Sequence, residues 1–176
     1  DFSITHEFDR AAPLGTGHVK AGGNYAAGLR AMKKAQKEGY ASVIFLDAKE
    51  KIYIDECGPA NFFAIKNNTY ITPQSSSILA SITNLSLMDL AKDFGMQVEQ
   101  RPIKAEELAT FEEVGACGTG AIITPIKKIV DKKAGKVYEY CQDAKPGPIT
   151  QRLYDTLLGI QYGDLPDRFG WVEIVN

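Results

Sequence analysis

The sequence predicts an α/β domain in which helices flank a sheet rich in hairpins. Three observations carry this. Short runs of β-branched and aromatic residues are separated by tight-turn residues, the pattern of antiparallel strands. Longer stretches place apolar residues at helical spacing. The 176-residue chain is 44% hydrophobic and 24% charged, the balance of one folded domain with a sizeable core.

Residues 1–18 read as irregular, with Ala12-Pro13 and Gly15-Thr16-Gly17 as loop signals. A helix is expected from about Gly23-Asn24. Its apolar face carries Tyr25, Leu29 and Met32, and Arg30, Lys33, Lys34 and Lys37 lie opposite. Gly39 stops it. Ser42 to Leu46 reads as a strand, Asp47 to Glu50 as a turn, and Lys51 to Ile54 as the returning strand. Asn61 to Ile65 and Thr69 to Thr72 form a second hairpin around Lys66-Asn67-Asn68, followed by a polar loop from Pro73 to Ser77.

Leu87, Leu90, Ala91 and Phe94 define an amphipathic helix over about Thr83 to Phe94, ended by Gly95. A strand near Met96 to Gln100 and a short acidic helix around Lys104 to Leu108 follow. Glu113 to Cys117 is a strand, Gly118-Thr119-Gly120 a tight turn, and Ala121 to Pro125 extends away from it. A hairpin turns at Ala134-Gly135. A last helix carries Ile149, Leu153, Leu157 and Ile160 on one face. Adjacent hairpins are antiparallel, so the sheet is not simply doubly wound.

Composition excludes several classes of partner. A net charge of -2 and a pI near 5.7 give no basic footprint for nucleic acid or an anionic membrane. No apolar run is long enough for a membrane span. Cys57, Cys117 and Cys141 are odd in number, widely spaced and without a CxxC pair. That argues against a disulfide framework and a zinc site, and no metal is expected with only His6 and His18. A reduced, cytoplasmic setting fits. The chain starts at Asp1 with no signal segment, so it reads as a fragment, a processed product or the ordered part of something longer.

A few residue types could carry chemistry. Lys20, in Lys-Ala-Gly-Gly-Asn-Tyr, precedes a helix N-terminus. A lysine amine must be neutral to attack a carbonyl, and burial or a nearby positive helix end favours that form. By position alone it reads rather as a solvated surface lysine ahead of a glycine-rich turn. Tyr25 could face whatever Lys20 holds, or sit in the core. Glu56 follows a strand, where a carboxylate facing a pyridine nitrogen would keep that nitrogen protonated, or where it would be an exposed turn residue. Gly118-Thr119-Gly120 offers the amides of an anion nest, and Ser81-Ile82-Thr83 opens a helix, also a phosphate site. Together these supply an amine, a phenol, a carboxylate and two phosphate cradles, the groups a pyridoxal phosphate site needs.

Over essentially its whole length the chain resembles the class IV, branched-chain-type aminotransferases. The resemblance rests on Arg10-Ala11-Ala12-Pro13, Lys20-Ala21-Gly22-Gly23-Asn24-Tyr25, and Asp55-Glu56-Cys57-Gly58-Pro59-Ala60-Asn61-Phe62-Phe63. It continues through Ile78-Leu79-Ala80-Ser81-Ile82-Thr83, Glu113-Val114, Gly118-Thr119-Gly120-Ala121 and Thr124-Pro125. It implies a hairpin-rich pseudobarrel flanked by helices, the pyridoxal 5'-phosphate-binding large domain of fold-type IV enzymes over residues 1–176. The family's small N-terminal domain would lie outside this chain.

The resemblance further implies that Lys20 is the Schiff-base lysine and proton shuttle. Tyr25 would bond the cofactor's phenolic oxygen and Glu56 its pyridinium nitrogen. Ile82, Thr83 and Thr119 would hold the phosphate, and the Thr119-Gly120 backbone would receive the substrate carboxylate. The implied reaction moves an amino group from L-leucine, isoleucine or valine to 2-oxoglutarate, in a cytoplasmic homodimer. A D-amino acid aminotransferase, an aminodeoxychorismate lyase and a non-catalytic binding module remain alternatives. The chain departs from the family at Ala80-Ser81 (usually Pro-Gly), at Asn84 (usually Arg) and at Pro59, which removes a backbone donor.

Overall fold

The computed structural model describes residues 1–141 and 145–175. Among the described residues ten strands form one mixed sheet, eight of them in the order β10-β9-β1-β2-β3-β4-β5-β6. The strands on this path are β1 (Phe2–Thr5), β2 (Ser42–Leu46), β3 (Ile54–Cys57), β4 (Ala60–Lys66), β5 (Thr69–Pro73), β6 (Gln97–Arg101), β9 (Lys128–Asp131) and β10 (Lys136–Glu139). The sheet forks at β4. One edge of β4 pairs first with β3 and then with β5, while its other edge pairs with β7 (Glu113–Gly118), which leads to β8 (Ile122–Pro125).

Strand alternation separates two interiors. Ile44 and Leu46 of β2, Phe62 and Ala64 of β4, and Val114 and Ala116 of β7 all point into one cluster. It also receives Phe2, Ile4, Ile71, Ile129 and Tyr138. One face of nearly every strand converges there, so the sheet wraps around it. The other face is covered by helices. Phe63, Ile65 and Tyr70 pack on α2 (Ile82–Asp93) and α3 (Pro148–Tyr162). Val43 and Phe45 pack on α1 (Gly22–Lys37). No described helix is long and apolar enough to cross a membrane.

Three sequence expectations need correction. Phe2–Thr5 is not irregular. It is a central strand, parallel to both β2 and β9. Four residues alternating Phe-Ser-Ile-Thr are too short a run to declare themselves before partners are known. The strand returning from β2 is Ile54–Cys57, not Lys51 to Ile54. The Asp47 carboxylate accepts the amides of Glu50, Ile52 and Tyr53, and Lys51 takes a positive φ of 57°, which lengthens the turn. Glu56 therefore lies inside a strand. Finally, of the expected apolar face of α1 only Met32 is partly buried against the sheet. Asn24, Gly28, Ala31 and Ala35 face the sheet, and Tyr25 and Leu29 are exposed. Small residues let the helix sit close to Phe45, whose ring would lie 3.6 Å from a Cβ at position 28.

The other turns follow local rule. Asn67 and Asn68 both have positive φ, as a two-residue hairpin turn requires. Gly39 and Gly95, both at positive φ, end α1 and α2. The acidic segment is a 3-10 helix, Ala105–Thr110.

One close approach prepares the site. The loop from His6 to Lys20 lies against the segment from Gln74 to Ala80. At Gly17 a Cβ would collide with the Ser77 carbonyl and lie 2.8 Å from Ser77 Cα. A glycine is needed there because backbone meets backbone. We expect Gly17→Ala to lower stability by about 1–3 kcal/mol, read as a lower urea midpoint at unchanged slope. An unchanged midpoint would show that the two loops can separate freely.

Candidate active site

Two adjoining hollows lie between α1, the β3–β4 turn and the N-terminus of α2. The larger, of about 580 Å³, is lined by Lys20, Tyr25, Ser81, Ile82, Thr119 and Gly120 among others. The smaller, of about 340 Å³, is mainly apolar and contains Arg10 and Glu56. Tyr25, Pro59, Asn61 and Leu79 line both, so they form a common wall.

Lys20 is set in place by Asn24. The Asn24 side chain is buried and turned back on the loop before it. Its amide nitrogen donates to the carbonyls of Thr16 (2.7 Å) and Val19 (2.8 Å), and its oxygen accepts from Thr16 Oγ1 (3.2 Å). These bonds fold residues 16–19 against the first turn of α1 and bring Lys20 to the larger hollow. Lys20 and Tyr25 are both exposed at its mouth. Tyr25 is thus not a core residue.

Glu56 is nearly inaccessible. The β3–β4 hairpin turns at Gly58-Pro59, with Gly58 at φ +57°, and pairs Glu56 with Asn61 across the two strands. This pair grips one residue from both sides. Glu56 Oε1 accepts the Leu79 N–H at 2.9 Å, and Asn61 Nδ2 donates to the Leu79 carbonyl at 2.9 Å. Glu56 Oε2 faces Arg10 Nε at 3.4 Å, and Arg10 reaches on to the carbonyls of Ser77 and Gly17. Burial pushes the Glu56 carboxyl up to about 7, against the pull of the Arg10 charge and the Leu79 N–H. Neighbouring Asp55 is also raised by burial, opposed by the hydroxyls of Ser77 (2.8 Å) and Ser75 (3.0 Å).

The segment held in this way leads into α2. Ser81 caps the helix, accepting the Asn84 amide on Oγ at 3.4 Å and the Leu85 amide on its carbonyl at 3.0 Å. The first amides of a helix lack intrahelical acceptors. Those of Ile82 and Thr83 are therefore available to an anion, with no acidic residue in the first turn to oppose it. Across the hollow, the turn from β7 to β8 offers Gly118, Thr119 and Gly120. A Cβ at Gly120 would meet nothing within 4 Å, so its backbone is open to a guest.

The fold thus gathers Lys20, Tyr25, Ile82, Thr119 and Gly120 around one hollow. Thr83 is half-buried in the first turn of α2 and does not line it, and Glu56 lines the adjoining one. Two supporting groups escaped residue-by-residue reading. Arg10 stands in Arg-Ala-Ala-Pro with no local sign that it is buried against a carboxylate 46 positions on. Asn61 is a plain strand residue until its register opposite Glu56 is known.

Comparison with known proteins gives the family. The Amino-transferase class IV family profile matches residues 6–129. The branched-chain-amino-acid aminotransferase of Haemophilus influenzae is 47% identical over 180 residues, covering 98% of this chain and 52% of that protein. That of Helicobacter pylori is 50% identical, covering 96% and 49%. The chain spans about half the length of the curated relatives it matches. The crystal structure of the Escherichia coli branched-chain amino acid aminotransferase superposes with a TM-score of 0.84 at 32% identity, over 99% of this chain and 55% of that one. The Thermobaculum terrenum branched-chain amino acid aminotransferase, in its PLP-bound holo form, gives 0.79 at 30% identity, over 92% and 50%. A family match over most of the residues, with relatives alike across nearly the whole length, makes this chain a member of the class IV aminotransferases.

Proposed function

We propose that the intact protein is a pyridoxal 5'-phosphate-dependent branched-chain amino acid aminotransferase. In this reading it moves the amino group of L-leucine, isoleucine or valine to 2-oxoglutarate, in the cytoplasm and as a homodimer. The observation that carries it is a lysine at the mouth of a hollow whose far walls are helix and turn amides, next to a buried carboxylate. The residues fit the cofactor. An anion cradle, a phenol, an amine and a carboxylate line two adjoining hollows with a shared wall, and Gly120 leaves the turn side of the cradle open.

When bound, the cofactor supplies a carbonyl that takes up an amino group and a ring that withdraws electrons from the bond being broken. Lys20 would hold it through Nζ and move the proton at the substrate α-carbon. Tyr25 would orient its phenolic oxygen. Ile82, Thr83 and Thr119 would bind the phosphate, and the Thr119-Gly120 backbone the substrate carboxylate. Glu56 would hold a proton on the ring nitrogen, and a cation facing it would favour its ionised form. A small N-terminal domain of the intact protein would close the hollows, beside which Val19 is exposed.

Two experiments test this. Borohydride reduction of the intact protein with pyridoxal phosphate, followed by peptide mapping, should place the label on Lys20. Lys20→Ala should lower kcat with leucine by about 10²-fold or more. A label elsewhere, or greater turnover with D-alanine or aminodeoxychorismate than with leucine, would redirect the assignment.

The second concerns pH. Glu56 holds its proton more tightly in the cofactor-free fold than in the unfolded chain. Its contribution to stability is therefore complete below the ordinary value of 4.5 and declines as pH rises toward about 7. Relative to Glu56→Gln, the native protein should lose up to roughly 3 kcal/mol across that window. Urea titrations at pH 5 and pH 8 measure it, and parallel behaviour of the two proteins would refute it.

A further inference from the structure

Behind the anion cradle lies a buried polar cluster that the proposed chemistry does not use. Its hub is Asn84, the third residue of α2, which is only 6% exposed. Its side-chain oxygen accepts the Tyr70 hydroxyl at 2.7 Å and faces the Cys117 thiol at 3.8 Å. Its side-chain nitrogen donates to Thr72 Oγ1 at 3.1 Å, and Thr72 in turn donates to the Phe62 carbonyl at 2.9 Å. In this orientation every donor of the cluster meets an acceptor. A reversed amide would set its oxygen beside Thr72 Oγ1, whose proton is already given to Phe62, and would leave the Tyr70 hydroxyl proton without this acceptor. Burial pushes both the Tyr70 hydroxyl and the Cys117 thiol up, Cys117 to about 12, so each keeps the proton it donates.

The position of this hub matters. Asn84 directly follows Ile82-Thr83, and its own amide is the one that Ser81 caps. Cys117 directly precedes Gly118-Thr119-Gly120. Tyr70 and Thr72 belong to β5 and Phe62 to β4. The two halves of the cradle come from a helix and a turn far apart in sequence, and this one side chain touches the element behind each.

We propose that Asn84 is a positioning residue for the phosphate cradle, setting the helix amides of Ile82 and Thr83 and the Thr119 turn at a fixed separation. This rests on the proposed function, since it takes the cradle to bind the cofactor's phosphate.

The test compares two ligands that differ only in the phosphate. Dissociation constants of pyridoxal phosphate and of pyridoxal are measured on the intact protein and on Asn84→Leu, Tyr70→Phe and Thr72→Val. Neither Tyr70 nor Thr72 lines the hollow, so neither variant removes a group that could touch the ligand. Asn84→Leu should weaken pyridoxal phosphate by about tenfold, and each of the others by several-fold, with pyridoxal changed less than about twofold. If Asn84→Leu does not fold, Tyr70→Phe and Thr72→Val decide. Equal weakening of both ligands, or undiminished pyridoxal phosphate binding by folded variants, overturns the inference while leaving the proposed function standing. A native protein that binds neither ligand overturns both.

Discussion

An ionisable carboxyl in an apolar interior must find partners, because its charged form is costly away from water. At Glu56 this requirement organises much of the site. The partners come from separate parts of the chain: Arg10 from the N-terminal loop and the Leu79 N–H from the segment before α2. Satisfying one side chain therefore anchors two loops. The same Arg10 reaches the Ser77 carbonyl, and Asp55 takes two serine hydroxyls from the neighbouring turn. The segment from Ser75 to Leu79 has little regular structure of its own. It is held by four side chains and delivers α2 with its N-terminus toward the hollow.

A second constraint is the fork in the sheet. β4 divides one edge between β3 and β5 and gives the other to β7. At its start it opposes Glu56, and along its length it supports the strand that ends in Gly118-Thr119-Gly120. The carboxylate and the turn side of the anion cradle are thus mounted on neighbours of a single strand, whose Phe62 and Phe63 are fully buried on opposite faces. Rigid, doubly covered strands suit groups that must keep a fixed spacing. The lysine, by contrast, is borne on a loop pinned by Asn24, and it stands at the mouth of the larger hollow.

Much of the architecture was legible from residue order. The runs at β2, β4 and β5, the α2 periodicity of Leu87, Leu90 and Ala91, and the glycine stops all follow local rules. Failures came where tertiary partners override them. β1 is short and recognisable only beside β2 and β9. The buried face of α1 is its small-residue face, because the helix must approach Phe45 closely. The N-terminus of α3 has no side-chain cap of its own and is served by Glu113 from β7, which accepts the amides of Ile149 and Thr150. Nothing local announces such a bond.

Residue identity and order alone determined which groups are present and to which family they belong, since an ordered set of motifs survives without coordinates. They also determined most turns and helix ends, which depend on the φ angles and caps of a few adjacent residues. Only the tertiary structure decided that Glu56 is buried rather than exposed at a turn, that Arg10 is its partner, and that Asn84 links the two sides of the cradle. Burial and long-range pairing depend on which surfaces the fold brings together, and that information is spread over the whole chain rather than written at any one position.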